Sequence, residues 1–255
     1  MTTVTQQLEK VQAVVDPQQE KTFVKMLVYG SAGSGKSIFA STFPKCLIFD
    51  TDRSHGLYKK FFPNNKYIEK NFFNVLQQSI KKIEDGSFPF ETIVIDSVTA
   101  LENEAIALAK GLDPAHWSDA LYTSKGKKLG YDEWGNISSS TIALFTYLKK
   151  LPINLVIITQ IEDVHDSGAI IAKPNLIGKG ANESLHFAEH VGFMEAKTGR
   201  TGKIERLLHL SSTVGDKFKA KARLMQGNVE PIKNPHYDKV LKLLQEDTNH
   251  LFFGE

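Results

Sequence analysis

A glycine-rich turn between an apolar stretch and a helix-forming stretch constrains this chain more than any other segment. Residues 30–37 read Gly-Ser-Ala-Gly-Ser-Gly-Lys-Ser and match the pattern G-x-x-x-x-G-K-S/T completely. Glycines let backbone N–H groups turn inward around an oxyanion, at a helix N-terminus whose dipole favours negative charge. The pattern therefore predicts a buried strand over 23–29, then a phosphate loop, then a helix. The expected ATP-binding residues are Gly30, Ser31, Ala32, Gly33, Ser34, Gly35, Lys36 and Ser37.

Two further residue types are expected to hold a magnesium ion beside that loop. The hydroxyl of Ser37 would ligate Mg²⁺ while the ammonium of Lys36 reaches the β- and γ-phosphates. Asp96 ends the apolar run 92–95 and would hold the metal through water, opposite Ser37. Ser97 follows it, where helicases and AAA+ machines commonly place the glutamate that activates water. The chain must therefore supply its catalytic carboxylate elsewhere.

Asp52 and Gln160 are the candidates for completing the catalytic set. Asp52 follows the apolar run 47–49, from which a carboxylate can face the γ-phosphate and orient the attacking water. Gln160 ends the run 155–158, where a neutral amide can sense the γ-phosphate and pass its presence to the next loop. The alternative for both residues is a helix cap or a solvated strand end.

The order of apolar and helical stretches predicts the fold class. Buried runs followed by amphipathic stretches predict an α/β fold with a doubly wound, mainly parallel sheet. Its strands are expected over 23–29, 46–49, 92–95 and 155–158, and its helices over 37–41, 74–84, 100–110 and 138–151. An antiparallel C-terminal extension is expected over 191–195, 203–210 and 220–225, followed by a helix over 236–245. Residues 1–22 are interpreted as an N-terminal arm and residues 23–255 as one domain.

The composition excludes some classes of protein but does not indicate a binding partner. The formal net charge of +2 gives no global argument for nucleic-acid binding, and the single cysteine excludes a disulfide framework. The first residues lack the pattern of a signal peptide, and no run approaches the ~18 apolar residues that cross a bilayer. We expect a cytoplasmic protein with no membrane partner, in the host cell if the chain is phage-encoded.

Together these motifs resemble the RecA-type recombinase core, and especially the short RecA-like ATPases of phages that promote single-strand annealing or strand exchange. The matching elements are residues 30–37, 49–52, 93–97, 157–160, 178–182 and 191–195. The resemblance implies a catalytic role for Asp52 and a γ-phosphate sensor at Gln160. It also implies a filament or ring with ATP between subunits, and DNA-facing loops at 111–136 and 161–184. That family usually has glutamate at the position of Asp52, so the shorter aspartate predicts slow hydrolysis.

The first of those loops has the composition of a single-strand binding surface. Lys125, Lys127 and Lys128 lie among aromatic residues, and cations that follow phosphates combined with rings that stack bases suit single-stranded DNA. The alternative is that the rings, at Trp117, Tyr122, Tyr131 and Trp134, belong to the core. The second loop begins with acidic residues and carries a net charge of −3 over 162–190, so a solvated β-hairpin is the alternative there.

A basic stretch near the end of the core has its own interpretation. Residues 197–223 contain eight basic and two acidic residues, either a solvated face or a nucleic-acid surface. In RecA-type assemblies basic residues of this region reach the γ-phosphate of the neighbouring subunit, which makes Lys221 and Arg223 candidate trans-acting fingers. The eight histidines form no recognised metal motif and are interpreted as surface or packing residues.

The leading hypothesis is an ATP-dependent, Mg²⁺-dependent DNA-recombination protein that assembles as a homo-oligomer on single-stranded DNA, with a single-strand-binding protein as a further candidate partner. Two rival functions remain open. One is an accessory switch, such as a helicase loader, whose ATP controls a protein partner. The other is a P-loop kinase, although such kinases usually show an Arg-rich lid that does not follow the fourth strand here.

Overall fold

The computed structural model describes residues 22–56, 58–111, 128–166, 169–177, 188–199, 202–213, 216–224 and 229–252. The strands in these ranges are β1 (Lys25–Tyr29), β2 (Cys46–Asp50), β3 (Lys66–Ile68), β4 (Thr92–Asp96), β5 (Asn154–Thr159), β6 (Ile161–Asp166), β7 (Ala169–Pro174), β8 (His190–Thr198), β9 (Ile204–His209) and β10 (Ile232–Lys233). The helices are α1 (Lys36–Ser41), α2 (Phe72–Glu84), α3 (Val98–Ala109), α4 (Tyr131–Lys150) and α5 (Tyr237–Phe252), with a 3-10 turn over Lys59–Phe61.

Eight of these strands form one sheet in the order β10-β9-β8-β1-β5-β4-β2-β3. Every neighbouring pair from β8 to β3 is parallel, whereas β9 and β10 extend the sheet in antiparallel fashion. β6 and β7 form a separate antiparallel hairpin. The predicted fold class, an α/β fold with a mainly parallel sheet and an antiparallel C-terminal part, is confirmed.

Two hydrophobic cores lie on opposite faces of this sheet. Leu27 and Tyr29 of β1 pack in the core formed with residues of α2, α3 and α4. Met26 and Val28 belong to the core formed with residues of α1 and α5. Because both faces are covered, the central strands are apolar at nearly every position, as buried parallel strands are. This double covering leaves the ends of the strands as the place for polar chemistry.

The expectation of a strand over 220–225 is wrong. The described part of that segment forms no strand, and Lys221 makes only an isolated antiparallel bridge to Val191. β9 ends opposite Phe193, so the earlier edge of β8 is left without a ladder partner and accepts that single bridge. The extension is completed instead by β10, which pairs with Leu207 and Leu208 of β9.

Element boundaries differ from the sequence-based expectations in a few places. α4 begins at Tyr131 rather than Ser138, because the Glu133 carboxylate accepts a hydrogen bond from the Gly130 N–H at 2.8 Å and starts the helix there. The segment after Gln160 forms the β-hairpin that was the alternative to a DNA-facing loop. Within the described ranges, no helix has both the length and the apolar character to cross a bilayer.

Candidate nucleotide site

The carboxyl ends of four parallel strands converge beside the phosphate loop. β5 lies between β1 and β4, with Tyr29 opposite Thr159 and Ile158 opposite Asp96 in the ladder. β2 follows on the far side of β4, with Asp50 opposite Asp96. This order gathers the loop after β1, the residue after β5, the end of β4 and the turn after β2 at one edge of the sheet, where ligands of open α/β sheets bind.

Close packing shapes the phosphate loop. A Cβ atom at Gly30 would lie 2.2 Å from the Met194 carbonyl oxygen, so β8 leaves no space for a side chain there. The Lys36 ammonium donates hydrogen bonds to the carbonyl oxygens of Gly30 at 2.7 Å and Ser31 at 2.9 Å. The buried hydroxyl of Ser34 has no hydrogen-bond partner in the described ranges. These donors form a cradle for an anion.

Lys36 is electrostatically coupled to both predicted acidic residues. Burial lowers the pKa of Lys36, while the charges of Asp96 and Asp52 oppose that shift. The two carboxyl groups therefore lie close enough to the lysine for an appreciable interaction. Ser37, the other predicted metal ligand, is the second residue of α1, beside Lys36.

Hydrogen bonds join the turn after β2 to the end of β4. The Ser97 hydroxyl donates to the Asp52 carboxylate at 2.8 Å, and the Thr51 hydroxyl donates to the Ser97 carbonyl oxygen at 2.7 Å. The Thr51 N–H donates to the Asp96 carbonyl oxygen at 2.8 Å. Burial raises the pKa of Asp52, and the hydrogen bond from Ser97 partly offsets that rise. Ser97 therefore positions the carboxylate of Asp52, the candidate base, and is not itself a candidate base.

His55 is a site residue that the sequence analysis missed. The imidazole Nε2 lies 2.7 Å from the Asp96 carboxylate oxygen, and both side chains are buried. The sequence interpretation of the histidines as surface or packing residues gave His55 no role at the site, whereas the structure brings its ring to the Asp96 carboxylate. Asp50 shapes the turn that carries it, because its carboxylate accepts the Ser54 N–H at 2.8 Å. No local pattern marks this contact, which joins residues from different strand ends.

Gln160 lies exposed at the end of β5 and is tied to the hairpin. Its carbonyl oxygen accepts the Asn175 N–H at 2.9 Å. The Thr159 hydroxyl donates to the Asn175 carbonyl oxygen at 2.6 Å and lies 3.1 Å from the Thr99 hydroxyl. The segment that follows β7 is therefore bonded directly to the predicted γ-phosphate sensor.

Other predicted residues lie away from this edge or outside the described ranges. Lys221 bonds Val191, whose ladder partner is Leu27 in the middle of β1, and the charges of Lys221 and Arg223 act on His190 at the start of β8. Lys128 is exposed just before α4. Lys125 and Lys127, the rings of Trp117 and Tyr122, the arm over 1–21 and the segment 178–182 lie outside the described residues.

The residues at this edge fit a nucleotide with magnesium. The orphaned Ser34 hydroxyl and the ammonium of Lys36 are donors suited to phosphate oxygens. Among the described residues, no group of three histidine, cysteine, aspartate or glutamate side chains could hold a metal on its own. Mg²⁺ commonly takes one or two protein ligands and completes its shell with phosphate oxygens and water, so Ser37 and Asp96 suffice for such a site.

Comparisons with known proteins give a family and two distant structural likenesses. No curated protein matches the chain. A KaiC-like protein from the hyperthermophilic archaeon Pyrococcus horikoshii OT3 is 13% identical, with a TM-score of 0.41 over 82% of this chain and 91% of that one. The flagellar accessory protein FlaH from Methanocaldococcus jannaschii is 11% identical, with a TM-score of 0.40 over 83% of this chain and 86% of that one. A family model described as an AAA domain matches residues 22–224, and the chain therefore belongs to that family of P-loop ATPases.

Proposed function

We propose that this chain is a Mg²⁺-dependent ATPase that binds single-stranded DNA and acts as a homo-oligomer, a filament or a ring, in phage-type homologous recombination by annealing or strand exchange. The nucleotide half of this proposal rests on the family and on the convergence of Lys36, Asp52 and Asp96 at one sheet edge. The DNA half rests on a groove beside the hairpin.

In the nucleotide half, each side chain has a role that its surroundings favour. The phosphate loop and Lys36 bind the phosphates, and Ser37 and Asp96 hold Mg²⁺. Asp52 orients the attacking water. Burial raises the pKa of Asp52, which makes its carboxylate a stronger base than an exposed aspartate. Its side chain is one methylene shorter than glutamate, so we expect turnover to be slow.

The observation that carries the DNA half is an aromatic groove along α4. Tyr131 is 90% exposed and Trp134 is 39% exposed, and both line a groove of about 860 Å³. The exposed Lys128 lies three residues before Tyr131 and six residues before Trp134. Rings that stand in solvent beside a cation can stack unpaired bases. These two aromatic residues are therefore not core residues, which was the alternative for them.

The same groove touches the nucleotide site through Asn175. Asn175 lines the groove, and its backbone N–H and carbonyl oxygen bond Gln160 and Thr159 respectively. A change at Gln160 when the γ-phosphate is present would displace this wall of the groove. ATP binding and DNA binding would then favour the same arrangement, as in switches that order a loop.

The ATPase rate with and without single-stranded DNA tests this function. We expect single-stranded DNA to stimulate turnover, and ATP to raise DNA affinity at low salt. Replacing Trp134 by alanine removes one stacking ring, so we expect DNA affinity to fall by about tenfold. DNA binding is measured by fluorescence anisotropy of a labelled oligonucleotide at rising salt concentration.

Tyr147→Ala is the matched control for that measurement. Tyr147 lies on the same helix, is 43% exposed and hydrogen-bonds Glu84 outside the groove. We expect this variant to bind DNA as the original chain does. Absence of DNA binding with ATP at low salt would contradict the DNA half, and equal losses in both variants would contradict the role of the groove.

A second candidate is the accessory switch that acts on a protein partner. It is favoured by the acidic hairpin, since Glu162 lines the groove and both Glu162 and Asp163 are exposed. Carboxylates repel a phosphate backbone and suit a basic protein surface instead. ATP hydrolysis without any response to single-stranded DNA would favour this function over recombination.

A further inference from the structure

Arg206 on β9 lies directly against the phosphate loop. A Cβ atom at Gly35 would be 2.4 Å from the Arg206 Cδ and 2.5 Å from its Nε, so the arginine stem occupies the space beside that glycine. Gly35 also has a φ of +100°, which disfavours any side chain. The glycine before Lys36 thus allows both the loop conformation and the close approach of Arg206.

The β9–β10 pair holds the backbone of Arg206 in this position. The Asn234 N–H donates to the Arg206 carbonyl oxygen at 2.7 Å, and the Arg206 N–H donates to the Asn234 side-chain oxygen at 3.4 Å. The side chain starts on the same face as Met194 and Leu208, which is the face that α1 covers. The approach to the loop is therefore built into the antiparallel extension.

The guanidinium of Arg206 has no protein partner among the described residues. Its Nε is buried without a hydrogen bond, and no described carboxylate lies within ion-pair distance. A cation that is partly withdrawn from water is costly unless an anion compensates it. The neighbouring loop is a phosphate-binding loop, so the missing partner is expected to be a phosphate group.

The position of Arg206 indicates which phosphate groups of a bound nucleotide it would contact. Asp52 and Asp96 lie on the β2–β4 side of the loop, where Lys36 meets them and where the γ-phosphate would lie. Arg206 approaches from β9, on the opposite side of β1. Backbone N–H groups of this loop type enclose the α- and β-phosphates, and Gly35 belongs to that part. We propose that Arg206 binds the α/β-phosphate part of the nucleotide held by its own loop, and so contributes to affinity for ADP and ATP alike.

This role differs from that of a trans-acting finger. A finger acts on the γ-phosphate of a neighbouring subunit and changes turnover, whereas Arg206 acts within one chain and on a diphosphate. The inference rests on the nucleotide half of the proposed function and is independent of DNA. It also gives the antiparallel extension a direct part in the nucleotide site.

The test measures dissociation constants for ADP and ATP by calorimetry on the full chain without DNA. Arg206→Met keeps an apolar stem of similar length against Gly35 and removes the guanidinium. We expect it to weaken ADP and ATP binding by a similar factor, about ten- to a hundredfold. Arg206→Lys keeps the positive charge, so its affinity for each nucleotide is expected to lie between that of the original chain and that of Arg206→Met. Arg206→Gln repeats the neutralisation in case the methionine variant folds poorly.

Lys233→Met is the matched control, because Lys233 is an exposed cation on the adjacent strand β10. It is expected to bind both nucleotides as the original chain does, and an equal loss there would overturn the inference. Unchanged ADP affinity in both Arg206→Met and Arg206→Gln would overturn it as well, since the arginine would then only pack against the loop. A loss for ATP alone would also overturn it. Failure of the original chain to bind ADP would instead remove the nucleotide site itself, and with it this inference.

Discussion

His55 and Asp96 form a buried pair at the end of β4, with Nε2 and Oδ2 2.7 Å apart. The histidine contacts one carboxylate oxygen of Asp96 and leaves the other free of this contact, so it fixes the orientation of the carboxylate. Outer partners of this kind orient metal-binding carboxylates, and their loss typically costs about 10–100-fold in metal affinity. At the residue scale, the proposed magnesium site would depend on His55, a neighbour that is not itself a candidate ligand.

Replacing His55 by alanine is therefore expected to weaken Mg²⁺-dependent nucleotide binding. The affinity for ATP with Mg²⁺ should fall by about tenfold, because Asp96 loses the side chain that orients it. The affinity for ATP in the presence of a chelator should change much less. The ratio of the two dissociation constants is the measurement, since a loss of stability alone would not alter it.

His236→Ala serves as the control for that ratio. His236 is half-exposed and pairs with Asp238 at the surface, 3.2 Å away, so its removal should leave both affinities unchanged. If His55→Ala weakened binding equally with and without Mg²⁺, the orienting role of His55 would be wrong.

At the scale of elements, Glu102 links α3 to the segment that follows β7. Its carboxyl oxygen accepts the Ile177 N–H at 3.1 Å, and Thr141 of α4 also hydrogen-bonds the carboxyl group. The side chain is only 3% exposed, and burial raises the pKa of Glu102 to about 7. A protonated carboxyl group is the favoured form there, because charging it inside the protein requires desolvation.

This pKa predicts a pH-dependent contribution to stability. The folded protein holds the Glu102 proton more tightly than the unfolded chain, so the stabilisation is complete below about pH 4.5 and is lost as pH rises to about 7. Glu102→Gln stays neutral throughout. The unfolding free energy of the variant minus that of the original chain should therefore increase over this range, by up to about 3 kcal/mol, and stay constant above it.

Urea unfolding of both proteins at several pH values measures this difference. Burial lowers the pKa of His190 to about 4, which stabilises the fold as pH rises and opposes the effect of Glu102 in either protein alone. The His190 contribution is shared by both proteins and cancels in the difference. Parallel stability curves from pH 4.5 to 8 would contradict a raised pKa at Glu102.

For the whole molecule, the position of Lys221 and Arg223 bears on assembly. Both act electrostatically on His190, which pairs with Met26 near the start of β1, whereas the phosphate loop follows the end of that strand. Within one chain they therefore lie away from the carboxyl edge of the sheet. A finger role for these residues requires a second subunit, and a head-to-tail contact would supply it in a filament or ring.

Mixing two inactive variants tests such a shared site. Lys221→Ala keeps its phosphate loop but lacks the finger, and Lys36→Ala lacks the loop lysine but keeps the finger. Each alone should show little turnover. In an equal mixture, roughly a quarter of head-to-tail interfaces would pair an intact loop with an intact finger, and turnover should recover in proportion.

Lys217→Ala, an exposed lysine near Lys221, is the control and should remain active by itself. No recovery in the mixture, with both variants folded and able to associate, would contradict a trans-acting role for Lys221. Full activity of Lys221→Ala alone would contradict any catalytic role for it.

Local sequence patterns were enough to predict much of the fold and part of the candidate site. The phosphate loop, the polar residues at the ends of buried strands and the parallel class of sheet follow from short-range features, because an apolar run that ends in a polar residue marks a strand end wherever it lies. The fold class predicted in this way is confirmed, whereas the start of α4 lies seven residues before the expected residue 138, where the Glu133 cap acts. The described part of residues 220–225 forms no strand, because pairing depends on which edge of the sheet is open.

Short-range patterns were sufficient to predict a nucleotide-binding loop, a candidate metal aspartate and an α/β order of elements. Which distant residues meet depends on the tertiary fold. The contact of His55 with Asp96, and that of Arg206 with Gly35, join residues that are far apart in the chain and carry no motif. The first contact arises because β2 lies beside β4, and the second because β8 flanks β1 and β9 follows β8. This strand order is set by packing of the whole sheet rather than by any local stretch.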